Sequence, residues 1–448
     1  MHRVSVGRAL RLGACGAAVA GLFVIGLGAG TAAASDTLWI QSPYELNVPL
    51  GVDGGEAPDR SLDLGLYHDN SNVSVTDGRL TLDVSGLAGV ADIIWPANCT
   101  PEGTVAVCTV DGEIPVTNVD AVHLGIRAAT GALKGAQGTV SYTATATTPS
   151  GTMKSPQGFS TTVTVASGPD LALNDPGPGK AEGVQPGANL PRPVSVTNEG
   201  NETAHGYTLK MSASYGLNFV TSYPQCTYRK DEGGGEYAPM THATCTFDDE
   251  ITPGAHVELP EQLVVAVNDK ALYERLDLSV DPAGGVTDID SGDNYVAQEV
   301  LADNTADFAV RGTDVMGSAG ETVTAQVRFQ NKGPAWFGNL GSGDPAAVVE
   351  FRVPQGTTVS DAPTECRPRT LTGGYYPNRV GAPRYDCNLP YWVSENTERA
   401  FAFQLRVDTV VQDATGPVVV RPVFGEFAFD PDTKNNSAKV VVNATPKA

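Results

Sequence analysis

The chain has 448 residues, a formal net charge of −22, 51 acidic against 29 basic residues, 50 glycines, 31 prolines and 41% apolar residues. So acidic a surface repels nucleic acid and anionic membranes, and neither is expected as a partner. The apolar fraction is enough for real cores, and the many turn-forming residues point to a folded all-β protein rather than a disordered one.

Residues 1–34 read as a cleaved secretory signal peptide. Arg3, Arg8 and Arg11 form the positive region. An apolar run spans about Ala17 to Leu27, and Ala32, Ala33 and Ala34 supply the small residues of a cleavage site. The run is too short for a membrane span. Loss of the three arginines makes the mature chain still more negative. Cys15 would leave with the leader.

Beyond the leader, apolar residues alternate with period two. Examples are Leu62 to Tyr67, Arg79 to Val84, Thr139 to Ala146, Phe159 to Val165, Tyr207 to Met211 and Val257 to Val267. The pattern continues at Thr322 to Phe329, Val348 to Val353, Phe401 to Val407 and Lys439 to Val442. Alternation of this kind places one set of side chains inward and the other in water, as in antiparallel sheets. Clusters of Gly, Pro, Asn and Asp separate the runs, and no amphipathic helix stands out. The expected fold is three tandem Ig-like antiparallel β-sandwiches, over 35–168, 169–303 and 304–448.

Six cysteines remain after processing, and they recur as pairs at near-even intervals: Cys99 with Cys108, Cys226 with Cys245, Cys366 with Cys387. One disulfide per unit is expected, which suits an oxidising, extracellular compartment. No Cys-x-x-Cys and no accompanying histidine pair favours a zinc site.

The second and third units align. Val194 to Gly200 matches Val327 to Gly333, and the acidic turn Asp288 to Asn294 matches Asp430 to Asn436. A strand ends in Asn198-x-Gly200 and is followed by Gly216, Leu217 and Phe219. Then come the pair Cys226 and Cys245, the turn Pro253-Gly254, and Asn294. Asn331, Gly333, Cys366, Cys387, Asp430, Asp432 and Asn436 repeat these features. The pattern resembles the bacterial conserved-repeat Ig-like domain of cell-surface and secreted proteins, over units two and three and only weakly over unit one. The resemblance implies a non-catalytic extracellular module.

Two local constellations carry chemistry. Asp288, Asp290 and Asp293, and their counterparts Asp430, Asp432 and Asn435, offer oxygen atoms of the kind calcium takes. An Asx-rich turn feeding the last strand accounts for them equally simply and is the favoured reading, so no cofactor is expected. The loop between Cys366 and Cys387 is a basic, aromatic island. It holds Arg367, Arg369, Tyr375, Tyr376, Arg379 and Arg384, and Tyr391 and Trp392 follow at once. Arginine and tyrosine are enriched at binding hot spots. The alternative is that the arginines pair with acidic neighbours inside the protein.

No serine-nucleophile, zinc-protease or phosphate-loop motif is present. The expected function is a secreted or surface-associated spacer or binding protein. A cell-wall glycan or surface protein would be its partner. The competing reading is an extracellular hydrolase with a carboxylate site that has no sequence signature.

Overall fold

The computed structural model describes residues 36–445, apart from 176, 178, 235 and 236. The expected leader and Cys15 lie outside the described residues. The fold is all-β, with only short 3-10 turns beside the strands. No helix among the described residues is long and apolar enough to cross a membrane.

Three tandem Ig-like sandwiches follow one another. In each, the larger sheet runs from an edge strand paired in parallel to an edge strand carrying the first cysteine. In the first domain its order is Glu45–Pro49, Phe159–Ala166, Gln137–Thr148, Thr76–Asp83, Val105–Glu113, Cys99–Glu102. In the second it is Lys180–Val184, Tyr295–Ala302, Tyr273–Pro282, Ala204–Ser214, Met240–Ile251, Cys226–Asp231. In the third it is Asp314–Val315, Ser437–Val442, Ala414–Arg421, Val348–Arg352, Arg384–Asn388, Cys366–Arg369. The first strand of each series pairs in parallel with the next. Smaller sheets, such as Ala306–Arg311, Thr322–Pro334, Thr397–Val407 and Thr357–Asp361, cover the inner face.

The period-two runs become strands for the expected reason. Along Gln137–Thr148, Val140, Tyr142, Ala144 and Ala146 are buried while Thr139, Ser141 and Thr143 face water. Each large apolar side chain so buried contributes about 1.5–3 kcal/mol. One run is corrected. Val257 to Val267, read as a single strand, is two, His256–Glu258 and Leu263–Val267, in different sheets. Pro260 lies between them; it has no N–H to donate and interrupts the ladder.

The cysteines are bonded as Cys99–Cys108, Cys226–Cys245 and Cys366–Cys387. Each pair sits in direct register across two neighbouring strands of one sheet. The bridges pin the edge strand to its neighbour and do not join the two sheets.

The two junctions differ in chemistry. Between the second and third domains, Trp336 is fully buried and its Nε1 donates to Glu274 Oε1 at 2.6 Å. Leu272 belongs to the core of the third domain, and Tyr273 packs edge-on to Phe337 and Phe429. Lys270 reaches Glu395 at 2.8 Å. Between the first and second domains the contacts are polar. Arg60 pairs with Asp170 and with Glu199, Asn47 Nδ2 donates to the Ile289 carbonyl at 2.7 Å, and Ser167 Oγ donates to Glu202 Oε1 at 2.5 Å.

Candidate functional site

The locked junction of the second and third domains leaves a groove of about 1400 Å³. On one side stand Tyr237 and Met240, from the connection after Cys226–Asp231 and the strand it leads into. Arg275 and Asp277, from the central strand Tyr273–Pro282, stand with them. On the other stand Asn339, Tyr391, Trp392, Glu398 and Arg399 of the third domain. The segment after the second cysteine is held by a two-stranded pairing of Phe337–Gly338 with Trp392–Val393. Pro390 precedes it, and its carbonyl accepts from Ala346 N at 2.9 Å. The Tyr391 hydroxyl accepts from Ala238 N at 2.8 Å, which ties the third domain to the second across the groove.

The charged side chains of the groove are already paired. Arg275 Nε contacts Asp277 Oδ1 at 2.7 Å. Glu398 takes Arg328 at 2.6 Å, and Arg399 reaches Glu365 at 3.3 Å. What remains presented is aromatic and uncharged: Tyr237 is 77% exposed, and Tyr391 and Trp392 are half-buried.

Of the eight residues singled out around the third cysteine pair, Tyr391 and Trp392 line this groove and the other six do not. Arg384 is buried, with Nη2 2.9 Å from Glu350 and Nε 2.9 Å from Asp386. Asp386 also takes Arg421 at 3.0 Å and lies 3.7 Å from Arg369. These arginines therefore neutralise acids of their own domain. Arg379 Nη2 donates to the Ala362 carbonyl at 2.6 Å, and the Tyr376 hydroxyl donates to the Gly381 carbonyl at 3.1 Å. Arg367 and Tyr375 are exposed.

The two acidic turns fold differently. Asp288 and Asp293 meet Asp170, a residue the sequence reading did not single out, with carboxylate oxygens all within 4.8 Å. Asp290 stands apart: its Oδ1 accepts from Gly292 N at 2.9 Å as a turn-former. The space a cation would take beside Asp170 is used by the Arg60 guanidinium from the first domain, which also reaches Glu199 at 2.6 Å. Burial pushes Asp170 up to about 7, with Arg60 opposing, and pushes Asp293 up to about 6. In the third domain the turn is satisfied internally. Asp430 accepts from Asp432 N at 3.0 Å and from Asn436 Nδ2 at 2.9 Å. Asp432 caps Lys434 N, while Asn435 Nδ2 donates to Asp307 Oδ1 at 2.8 Å. Lys332 stands 3.3 Å from Asp307.

One further cluster bears on catalysis. Ser212 Oγ lies 2.8 Å from His242 Nδ1, and His242 Nε2 lies 3.3 Å from Asp231 Oδ2. The order of atoms is that of a serine-nucleophile relay. However, Ser212 is on a central strand paired on both sides, with Met240–Ile251 and Tyr273–Pro282. The neighbouring backbone N–H groups are spent in the ladders and cannot hold an oxyanion. The three side chains form a polar chain on the outer sheet face.

The fold defines the class as tandem Ig-like β-sandwich. No family model matches the chain, and no curated protein matches it. Among solved structures, a protein from Corynebacterium diphtheriae described as membrane-anchored is 11% identical, with 92% of each chain covered and a TM-score of 0.18. The three-Ig segment I67–I69 of titin, in a variant form, is 8% identical, with 92% of this chain and 100% of that one covered and a TM-score of 0.21. A trypsin-activated alpha-2-macroglobulin from Escherichia coli is 13% identical over 73% of this chain and 21% of its own, with a TM-score of 0.23. At such TM-scores none of them bears on what this chain does.

Proposed function

We propose that this chain is a non-catalytic, secreted or surface-associated binding protein of three Ig-like domains, whose partner sits in the groove between the second and third. The observation that carries this reading is the groove itself: it is preformed, walled by two domains that a buried Trp336–Glu274 contact locks together, and furnished with Tyr237, Tyr391 and Trp392. Sites of this kind favour recognition because little order remains to be imposed on binding. Three disulfides support residence in an oxidising compartment.

The test is capture of the purified mature protein on cell-wall polysaccharide and surface-protein fractions. Trp392→Ala should lower capture at least tenfold, and Arg367→Ala with Tyr375→Ala should not. If the second pair abolishes capture and Trp392→Ala is silent, the exposed tip of the Cys366–Cys387 loop is the site instead.

A further inference from the structure

The groove does not stop at the Trp392 wall. Arg275, Asn339, Leu340 and Gly341 also line a second cavity, of about 420 Å³, on the other flank of the same junction. The two spaces are therefore neighbours across one saddle. The second has Tyr273, Leu301, Phe337 and Phe427 in its wall together with Lys180, Glu299 and Glu426, and Phe424, 77% exposed, also lines it. Each cavity thus has one exposed aromatic ring in its lining, Tyr237 in the first and Phe424 in the second.

We infer that this path takes an uncharged polysaccharide chain several sugar units long, lying across the junction of the second and third domains. The inference rests on the groove being the binding site and names the occupant. Three observations favour it. First, Arg275, Arg399 and Glu398 already have partners, and Lys180 at the second cavity pairs with Glu182 at 2.7 Å. An anionic ligand would have to draw these arginines and the lysine out of their pairs. Second, Glu299 and Glu426 add negative charge at the second cavity, which disfavours an anionic chain. Third, the surfaces left include the exposed aromatic rings of Tyr237 and Phe424 and the side-chain amides of Asn339 and Asn388. A pyranose ring offers the match: its C–H face packs on an aromatic face, and its hydroxyls both donate and accept.

The experiment uses the full mature chain and calorimetric titration with four oligosaccharide series of three charge types, each from one to six units. N-acetylated chito-oligomers and β-glucan oligomers are neutral, deacetylated chito-oligomers are cationic, and oligogalacturonates are anionic. Neutral oligomers should gain at least tenfold in affinity from the dimer to the hexamer, with little change between low and high salt. Phe424→Ala and Tyr237→Ala should each remove about tenfold for the hexamer and far less for the dimer. Length-independent binding overturns the extended path. Salt-sensitive binding confined to a charged series overturns the uncharged ligand. If no neutral oligomer binds while Trp392→Ala still reduces capture on surface fractions, the occupant is wrong and the groove stands. If Trp392→Ala changes nothing in either assay, the groove reading falls with it.

Discussion

Glu274 shows how one buried side chain can organise a junction. Its carboxylate accepts from Ser214 Oγ, Gly216 N, Leu272 N and Trp336 Nε1, and burial raises its pKa. Trp336→Phe keeps most of the ring and removes one donor from a buried acceptor. It should destabilise the second and third domains by about 1–3 kcal/mol in denaturant titration. Arg384, at the start of a strand, and Arg379, in the loop before it, should behave oppositely. Arg384→Ala removes the buried guanidinium that Asp386 and Glu350 share, leaving them the more exposed Arg421 and Arg352, and should cost about 3 kcal/mol. Arg379→Ala loses one part-buried hydrogen bond to a carbonyl and should stay within about 1 kcal/mol. Equal losses for the two would show that the Arg384 network is not holding the third domain together.

At the scale of elements, two turns with the same acidic spacing do different things because different neighbours face them. Asp288 to Asn294 meets Asp170 and the Arg60 guanidinium of the first domain; Asp430 to Asn436 meets Asp307 and Lys332 of its own domain. This has a consequence for pH. An unfolded aspartate titrates near 3.9, whereas burial holds Asp170 at about 7 and Asp293 at about 6 in the folded chain. The folded chain therefore binds protons that the unfolded chain releases. The stability these groups contribute is fully present below about pH 4 and lost as pH rises through about 7. Denaturant midpoints at pH 5 and pH 8 should differ in that direction, and Asp170→Asn should shrink the difference. An unchanged difference in the variant would remove the cluster as its source. The disulfides act at this scale too. Replacing Cys226 and Cys245 together by alanine frees the edge strand Cys226–Asp231 and should cost about 2–4 kcal/mol.

At the scale of the molecule, an apolar junction couples and a polar one does not. The second and third domains share buried Leu272 and Trp336, so opening their interface exposes a large aromatic surface. The first domain is held by Arg60 and a few hydrogen bonds, which salt weakens. Scanning calorimetry should therefore show two transitions, one for the first domain and one for the other two together. Trp336→Ala should split the second transition and lower it, since deleting a buried tryptophan costs about 3–5 kcal/mol. Three transitions in the unaltered protein would contradict the coupling.

The repeated cysteine pairs, the period-two runs and the turn residues between them are local signals, and they determined the all-β sandwich class from sequence. Alternation needs only the geometry of a strand, so it is legible one segment at a time. Pro260 separates two strands inside a run whose alternation continues across it, so alternation alone does not mark the break. The site was legible only in part. Tyr391 and Trp392 were visible as an aromatic pair beside a cysteine, but Tyr237, Arg275 and Arg399 come from other strands and carry no shared motif. The fate of each charge was likewise undecided: whether Arg384 met a ligand or Asp386, and whether Asp288 met a cation or Arg60, depended on which side chains lay opposite. Sequence spacing sets which residues share a strand face, while the packing of sheets and domains sets which charges meet, and only the tertiary structure decides that.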